Sequence, residues 1–222
     1  MTFRIEPNLR ERFPGLQVVV KSLDGVTVES AGVELQSFRE EVCREIKQKY
    51  TLEDLKNVPI FRAYRDFFWK VGIDPTKIRP AAEALVRRIL AGKPIPTINN
   101  VVDSYNLASI KTEVALAAFN RDELSGDLWM RAAQTGERFL GIGMSEPMEL
   151  SGREIVISDS EKLIAVYPYR DAHISRVYES TSNLLMLVCG VPGIQEDVLN
   201  DAANVALNLV TMFCGGKEGL EK

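Results

Sequence analysis

Five polar side chains crowd a short stretch near the middle of the chain. They are Asn99, Asn100, Asp103, Ser104 and Asn106. Side chains of these types compete with the backbone for hydrogen bonds, so helix interiors do not favour them. Helix capping accounts for one or two of them, and five within eight residues exceed that need. Two alternatives stay open: these side chains line a ligand pocket at a helix start, or they hold the scaffold together.

A second polar run, Tyr169-Arg170-Asp171, lies in the later part of the chain. Neighbouring opposite charges commonly form a structural ion pair, and the alternative is that Arg170 and Asp171 grip a substrate. His173 follows two residues later and is the only histidine. A histidine can act as a general base, although a single histidine in a polar loop is usually just exposed. The sequence therefore assigns no catalytic residue.

Positive charge is concentrated between residues 62 and 93. This segment holds eight basic groups against three acidic ones, which gives it +5, while the rest of the chain carries −9 within a net charge of −4. The basic residues are Arg62, Arg65, Lys70, Lys77, Arg79, Arg87, Arg88 and Lys93. A local basic face on an acidic protein is compatible with binding RNA phosphates. The alternative is a solvated helical surface without a nucleic-acid partner.

Composition argues against several other classes of protein. The chain has 222 residues, 45% hydrophobic and 26% charged, as is typical of a globular domain. Its three cysteines, Cys43, Cys189 and Cys214, include no Cys-x-x-Cys pair, so we expect neither a disulfide framework nor a zinc site. No apolar run approaches the roughly 18 residues of a membrane span, and the first residues lack the layout of a signal peptide. We expect a cytoplasmic protein without a membrane partner.

The elements that position these residues follow from apolar periodicity. Apolar residues recur three and four positions apart in five segments, which predicts five helices. They cover residues 33–50, 60–71, 80–91, 99–119 and 195–213. Segments rich in β-branched and other apolar residues predict strands. These lie at 3–6, 16–23, 26–29, 128–132, 138–141, 154–158, 163–167 and 184–191, with a turn at Asp24-Gly25. The mixture predicts an α+β fold.

Two adjacent motifs carry a family resemblance. The first is Tyr64-Arg65-x3-Trp69-x2-Gly72-Ile73-Asp74-Pro75-Thr76-Lys77-x-Arg79-Pro80-x2-Glu83-Ala84-Leu85-x-Arg87-Arg88. The second is Pro96-x-Ile98-Asn99-Asn100-Val101-Val102-Asp103-x2-Asn106, followed by Ala118-Phe119-Asn120 and Gly126-Asp127. In order and spacing they resemble the tRNA-binding and editing domain (B3/B4 type) of the phenylalanyl-tRNA synthetase beta subunit. They resemble the stand-alone proteins built from that domain more closely still.

The resemblance implies a fold and a domain layout. The expected fold is α+β, with a mixed β-sheet or barrel-like core flanked by helices. Residues 1–50 would form N-terminal strands and an amphipathic helix of the same domain, residues 51–216 the editing-like domain, and residues 217–222 a polar tail.

The resemblance also implies an activity and a partner. In the synthetase this domain hydrolyses tyrosine wrongly attached to the phenylalanine tRNA, so the implied partner is tRNA or aminoacyl-tRNA and not DNA. The ester is already activated, and a protein need only place water and stabilise the developing oxyanion. No cofactor or metal is implied.

Two departures from the synthetase pattern affect specificity. Ala117 stands where the synthetase motif has a pocket histidine, and Leu187 stands where it has a pocket glutamate. Tyrosine specificity is therefore not carried over. The implied pocket walls are the polar cluster of residues 99–106 and the segment Tyr169-Arg170-Asp171.

The leading hypothesis is a trans-acting deacylase of mischarged aminoacyl-tRNA, whose basic segment holds phosphates beside the pocket. The alternative is a non-catalytic module that binds RNA or an amino-acid-like ligand. The sequence leaves open the amino acid, the tRNA and the oligomeric state.

Overall fold

Residues 1–219 are described by a computed structural model, in which they form six α-helices and eleven β-strands. The helices are α1 (Pro7–Arg12), α2 (Val33–Lys49), α3 (Pro59–Lys70), α4 (Ala81–Leu90), α5 (Asn100–Thr112) and α6 (Glu196–Cys214). The strands are β1 (Phe3–Ile5), β2 (Gln17–Val26), β3 (Leu116–Asn120), β4 (Leu128–Ala132), β5 (Arg138–Phe139), β6 (Met148–Glu149), β7 (Ile155–Ser158), β8 (Leu163–Val166), β9 (Arg170–Asp171), β10 (Asn183–Gly190) and β11 (Gly215–Glu218).

Two main sheets form the core. One has the strand order β1-β4-β7-β8-β9, and the other has the order β11-β2-β10-β3. All pairs are antiparallel except β1 with β4. Strands of the first fifty residues belong to both sheets, because β1 pairs with β4 and β2 lies between β11 and β10. The predicted α+β class with a mixed sheet flanked by helices is confirmed.

Strand β10 is the centre of the four-stranded sheet. Seven of its eight residues are buried, as expected of a continuous apolar run in a strand covered on both faces. Helix α6 packs on β2 and β10, and α5 packs in turn on α6. The helices therefore cover one side of this sheet and leave its other side for the five-stranded sheet.

The predicted helix over residues 99–119 is wrong in its last third, beyond Thr112. α5 ends at Thr112, and Glu113 adopts the left-handed conformation with φ 65°. The Glu113 carboxylate accepts hydrogen bonds from Lys49 Nζ at 2.8 Å and from the Tyr50 hydroxyl. The apolar residues beyond it form β3, which is buried throughout and pairs with β10. A short apolar run fits a buried helix and a buried strand equally well, so periodicity could not separate them.

The predicted turn at Asp24-Gly25 is also wrong, because β2 continues through both residues to Val26. The strand predicted at 26–29 contributes only this last residue. β2 is prolonged by its pairing with β11, which occupies part of the segment expected to be a polar tail at 217–222. Residues 220–222 lie outside the described residues. The other predicted helices, and the predicted strands beyond residue 127, are confirmed to within two residues at each end.

Two tyrosine hydroxyls donate hydrogen bonds to backbone carbonyls at the end of β10. Tyr64 of α3 donates to the Cys189 carbonyl and accepts from the Ala115 N–H at 2.9 Å. Tyr167, just after β8, donates to the Gly190 carbonyl at 2.6 Å. Both tyrosines are fully buried. Helix α3 and the five-stranded sheet are thereby tied to the same end of β10.

Replacing Tyr64 with Phe should lower the free energy of unfolding by about 1–3 kcal/mol, since it leaves a buried carbonyl and a buried N–H without their partner. Urea denaturation followed by circular dichroism measures the loss. Tyr169→Phe is the matched control, because its hydroxyl makes no hydrogen bond with any described residue, and it should change stability by less than about 0.5 kcal/mol. Equal losses in the two variants would contradict the proposed role of Tyr64.

Candidate functional site

A partly enclosed cavity of about 210 Å³ lies where the two sheets meet. β3 and β10 supply one wall, and β7, β8, β9 and the β8–β9 turn supply the other. The first residue of α4, Ala81, lies at its edge. The lining residues are Ala81, Ala115, Leu116, Ala117, Phe119, Ile157, Ala165, Val166, Tyr167, Pro168, Tyr169, Arg170, Asp171, Leu187 and Cys189.

The wall on the four-stranded sheet is apolar. Ala117 of β3 is the register partner of Leu187 of β10, and both are buried and line the cavity. Phe119 lines the same wall, and Ile157 and Ala165 face the cavity from the other sheet. The two positions at which the sequence departs from the synthetase pattern are therefore direct neighbours in one apolar wall.

Asp171 is the only carboxylate among the described residues that line the cavity. Withdrawal from water raises the pKa of this carboxyl to about 7, and the neighbouring Arg170 opposes the shift. Its oxygens make no hydrogen bond or ion pair with any residue of the described range, 1–219. Burial also raises the pKa values of the Tyr105 hydroxyl and the Cys189 thiol, and in both cases the charge of Asp171 adds to the effect. Asp171 thus has no side-chain partner within the described range, and Arg170 is the other charged side chain among the described residues that line the cavity.

Arg170 is directed away from Asp171. Its Nη1 donates to the Ile142 carbonyl at 2.7 Å, and its guanidinium lies 5.0 Å from the centre of the Tyr169 ring. Gly141 makes room for this path, because a Cβ at that position would come within 2.3 Å of Arg170 Cδ. Adjacent residues of a strand project to opposite faces. The interpretation of Arg170 and Asp171 as a structural ion pair is therefore wrong.

The polar cluster on α5 is engaged with the scaffold. Asn99 caps the helix by accepting from the Val102 N–H at 2.8 Å. Asp103 pairs with Arg39 and accepts from the Ile98 N–H at 3.0 Å. Ser104 is buried beside the thiol of Cys214, 4.0 Å from its sulfur.

Asn100 makes the largest set of contacts in this cluster. Its amide donates to the carbonyls of Thr27 at 2.9 Å and Phe213 at 3.3 Å. Its oxygen accepts from the Glu29 N–H at 2.9 Å. Asn106 is half-buried, and its side chain makes no hydrogen bond within the described part of the chain. None of the five polar side chains lines the cavity.

These placements narrow the candidate site to the β8–β9 side of the cavity, where Tyr169, Arg170 and Asp171 lie. α5 approaches Asp171 through Tyr105, which the sequence reasoning missed. Cys189 was also missed, because an apolar strand gives no signal that one of its thiols faces a cavity. The proximity of both to Asp171 follows from strand pairing and helix packing that no local pattern encodes.

His173 lies on a different surface. It is exposed and lines a wide groove of about 1430 Å³ together with Asn99. The charges on this groove are balanced: the cations are Arg138, Lys162 and Arg176, and the carboxylates are Glu29, Glu123 and Glu179. The wide groove therefore lacks the excess positive charge that phosphate binding requires.

Two of the eight predicted RNA-binding residues are tied to a buried carboxylate. Arg65 Nε donates to the fully buried Glu83 at 2.7 Å, and Arg87 lies 3.7 Å from the same carboxylate. Arg62 and Lys70 are exposed on α3. The hydrogen bond to Glu83 holds the Arg65 side chain against the protein.

Five of the eight basic residues, Arg87 among them, line what we call the basic groove, beside α4. Its cations are Lys77, Arg79, Arg87, Arg88 and Lys93. No acidic residue of the described chain lines this groove. The segment that carries Lys77 and Arg79 leads directly into Ala81, which lines the cavity. The basic groove and the cavity therefore have lining residues only two positions apart in the chain, at the start of α4.

Within residues 1–219 no group of three or more His, Cys, Asp or Glu side chains is arranged to hold a metal ion. None of the helices in this range is both long enough and apolar enough to cross a membrane.

A sequence model of the B3/4 domain matches residues 63–215. The chain belongs to the B3/4 domain family. The predicted resemblance is confirmed.

Known proteins similar to this B3/4 domain are phenylalanine–tRNA ligase beta subunits. That of Protochlamydia amoebophila (strain UWE25) is 30% identical over 144 residues, which cover 64% of this chain and 16% of the relative. That of Geobacter metallireducens is 34% identical over 110 residues, covering 49% and 14%. The chain thus spans about one seventh of these relatives.

A crystal structure of an N-terminal fragment of the phenylalanyl-tRNA synthetase beta subunit from Pyrococcus horikoshii has a similar fold. The TM-score is 0.53 at 15% identity, and the match covers 98% of this chain and 50% of that one. At this identity the likeness concerns the fold alone.

We expect Asn100→Ala to lower the free energy of unfolding by about 1–3 kcal/mol, because it leaves buried backbone groups unsatisfied. Asn106→Ala is the matched control on the same helix and should stay within about 0.5 kcal/mol of the parent protein. Both are measured by urea denaturation. Equal effects would show that Asn100 does not hold the scaffold.

Asp171→Asn should stabilise the protein in a pH-dependent manner. A carboxyl pKa raised from 3.8 to about 7 in the folded state means that stability present below about pH 4 is lost as the pH rises through 7. The variant cannot ionise, so its Tm advantage should grow between about pH 4 and pH 7 and then level off. Thermal unfolding of the parent protein and the variant across this pH range measures the difference in Tm. The exposed-site control Asp66→Asn should show no such trend, and a pH-independent difference for Asp171→Asn would contradict the burial argument.

Proposed function

We propose that this B3/4 domain binds tRNA through the basic groove and hydrolyses an aminoacyl ester whose acyl group enters the cavity. The observation that carries the proposal is that the two features have neighbouring lining residues at the start of α4. The residues around Arg79 belong to the basic groove, and Ala81, two positions later, lines the cavity. One ligand with a phosphate backbone and a small terminal group fits this arrangement, with its backbone in the basic groove and its terminal group in the cavity.

The relatives support tRNA as the partner. The beta subunits that the chain resembles belong to enzymes named for joining phenylalanine to tRNA. The chain covers only 14–16% of those two subunits, so their full activity is not transferred here. What the proposal takes from them is the class of ligand, an RNA that carries an amino acid.

The chemistry asked of the cavity is modest. Hydrolysis breaks the bond between the acyl carbon and the ribose oxygen, with water supplying a hydroxyl to the acid and a proton to the ribose. Orienting the ester and water lowers the barrier without any cofactor. The cavity offers an apolar wall for the side chain and Asp171 at the opposite wall, and these fix an acyl group from two sides.

One observation favours a second function, a non-catalytic module that binds RNA or an amino-acid-like ligand. The cavity carries alanine and leucine at positions 117 and 187, where the synthetase pattern has polar residues. Among the described lining residues, it also lacks a histidine that could act as a base. Binding of a ligand requires neither polar residues at positions 117 and 187 nor a histidine that acts as a base.

The RNA-binding half of the proposal predicts a change in salt dependence. Lys77→Ala combined with Lys93→Ala removes two exposed cations from the basic groove. Each lost phosphate contact should reduce the slope of log K against log salt by about 0.7–0.9. Filter binding of tRNA at several salt concentrations measures this. The control is Arg10→Ala with Arg138→Ala, two exposed arginines outside the basic groove, and an equal effect there would contradict the assignment.

A panel of mischarged aminoacyl-tRNAs tests the hydrolytic half. Purified protein should release the amino acid from at least one member faster than buffer does, and Asp171→Asn should slow that release. Release at the buffer rate throughout, with tRNA binding retained, would replace the deacylase by the binding module. Absence of both hydrolysis and tRNA binding would overturn the proposed function.

A further inference from the structure

Asp171 is a half-buried carboxylate that has no side-chain partner among the described residues. Charges that are withdrawn from water are normally paired or bound to metals. The nearest cation, Arg170, is turned to the Ile142 carbonyl at 2.7 Å. The other neighbours that sense the charge of Asp171 are the neutral Tyr105 and Cys189. A cation supplied from outside would complete the site.

The surroundings exclude a metal ion as this cation. Calcium takes six to eight oxygen ligands, and zinc sites use three or four protein ligands. The cavity offers one carboxylate among its described lining residues, beside a thiol whose pKa is raised and which is therefore protonated. A compact organic cation is the remaining chemical class.

The apolar wall defines what must be attached to that cation. Ala117 and Leu187 face the cavity as register partners, with Phe119 beside them. These walls offer no polar side chain to a ligand hydroxyl. The group that fills this end of the cavity is therefore uncharged and apolar.

The volume of the cavity sets the approximate size of the ligand. An engineered apolar cavity of about 150 Å³ accommodates benzene. The present cavity, at about 210 Å³, has room for a branched aliphatic or benzyl group with a small cationic head.

We infer that the cavity is a subsite for a primary ammonium group carried next to an apolar side chain, with the Asp171 carboxylate as the partner of the ammonium. This inference rests on the proposed function and deepens it, because an aminoacyl ester carries such an ammonium next to its side chain. The acyl groups it favours are those of apolar amino acids. Tyrosine-like groups bind less well, because their hydroxyl is buried without a partner.

Matched pairs of small amides test the inference without RNA. Leucinamide and phenylalaninamide carry the ammonium, whereas 4-methylpentanamide and 3-phenylpropanamide have the same skeletons without it. Isothermal titration calorimetry should show at least about tenfold tighter binding of each amine than of its partner, as expected for a charge-assisted contact. Asp171→Asn should abolish the difference, and Asp171→Glu, which keeps the charge, should retain part of it.

The apolar wall is tested with tyrosinamide. It should bind more weakly than phenylalaninamide by up to about 100-fold, the limit for an apolar pocket that meets an added hydroxyl. Leu187→Gln should narrow this gap by offering the hydroxyl a partner. Thermal unfolding of each variant establishes that it is folded.

Four outcomes overturn the inference: equal binding within the matched pairs, an amine preference that survives in Asp171→Asn, no preference for phenylalaninamide over tyrosinamide, or no binding of any amide at millimolar concentration. The proposed function fails separately. Amine-selective binding without hydrolysis of any aminoacyl-tRNA would leave the subsite standing and remove the deacylase. Hydrolysis of an aminoacyl-tRNA without amine-selective binding would remove the subsite and leave the deacylase standing.

Discussion

The structure depends on how the end of β10 is held. Its last two carbonyls accept hydrogen bonds from the hydroxyls of Tyr64 and Tyr167, which come from α3 and from the end of β8. A buried carbonyl must find a donor, and these two donors come from two different elements, α3 and the end of β8. The consequence is a fixed junction between the two sheets, and the cavity is the space left beside that junction.

The cavity combines features that stability alone would not select. Asp171 is half-buried and has no partner among the described residues, which costs free energy whenever it is ionised. Gly141 leaves the room that lets Arg170 turn away from it. Polar groups kept in unfavourable surroundings are commonly found at functional sites. Because the basic groove begins beside this cavity, the unpaired carboxylate and the surplus of cations can act on one ligand.

Apolar periodicity predicted most helices and strands of this fold, because each has one clear buried face or a continuous apolar run. It failed after Glu113, where a left-handed residue divides helix α5 from an apolar strand and no Gly or Pro marks the break. The asparagine-rich start of α5 stood out in sequence, yet its contacts are mostly with the scaffold. Asp171 could be named as a candidate, but its isolation depends on Gly141 and on the direction of Arg170, which are long-range features.

The proposed function requires that the cavity and the basic groove bind one RNA ligand. It is tested most directly by a tRNA that carries a photoreactive group at its 3′ end, cross-linked to the protein and mapped by mass spectrometry. The account predicts cross-links to the β8–β9 segment around Tyr169 and to the start of α4, with protection of Arg79 and Lys93 along the same RNA. Cross-links confined to the wide groove around Asn99 and His173, with the cavity untouched, would contradict it.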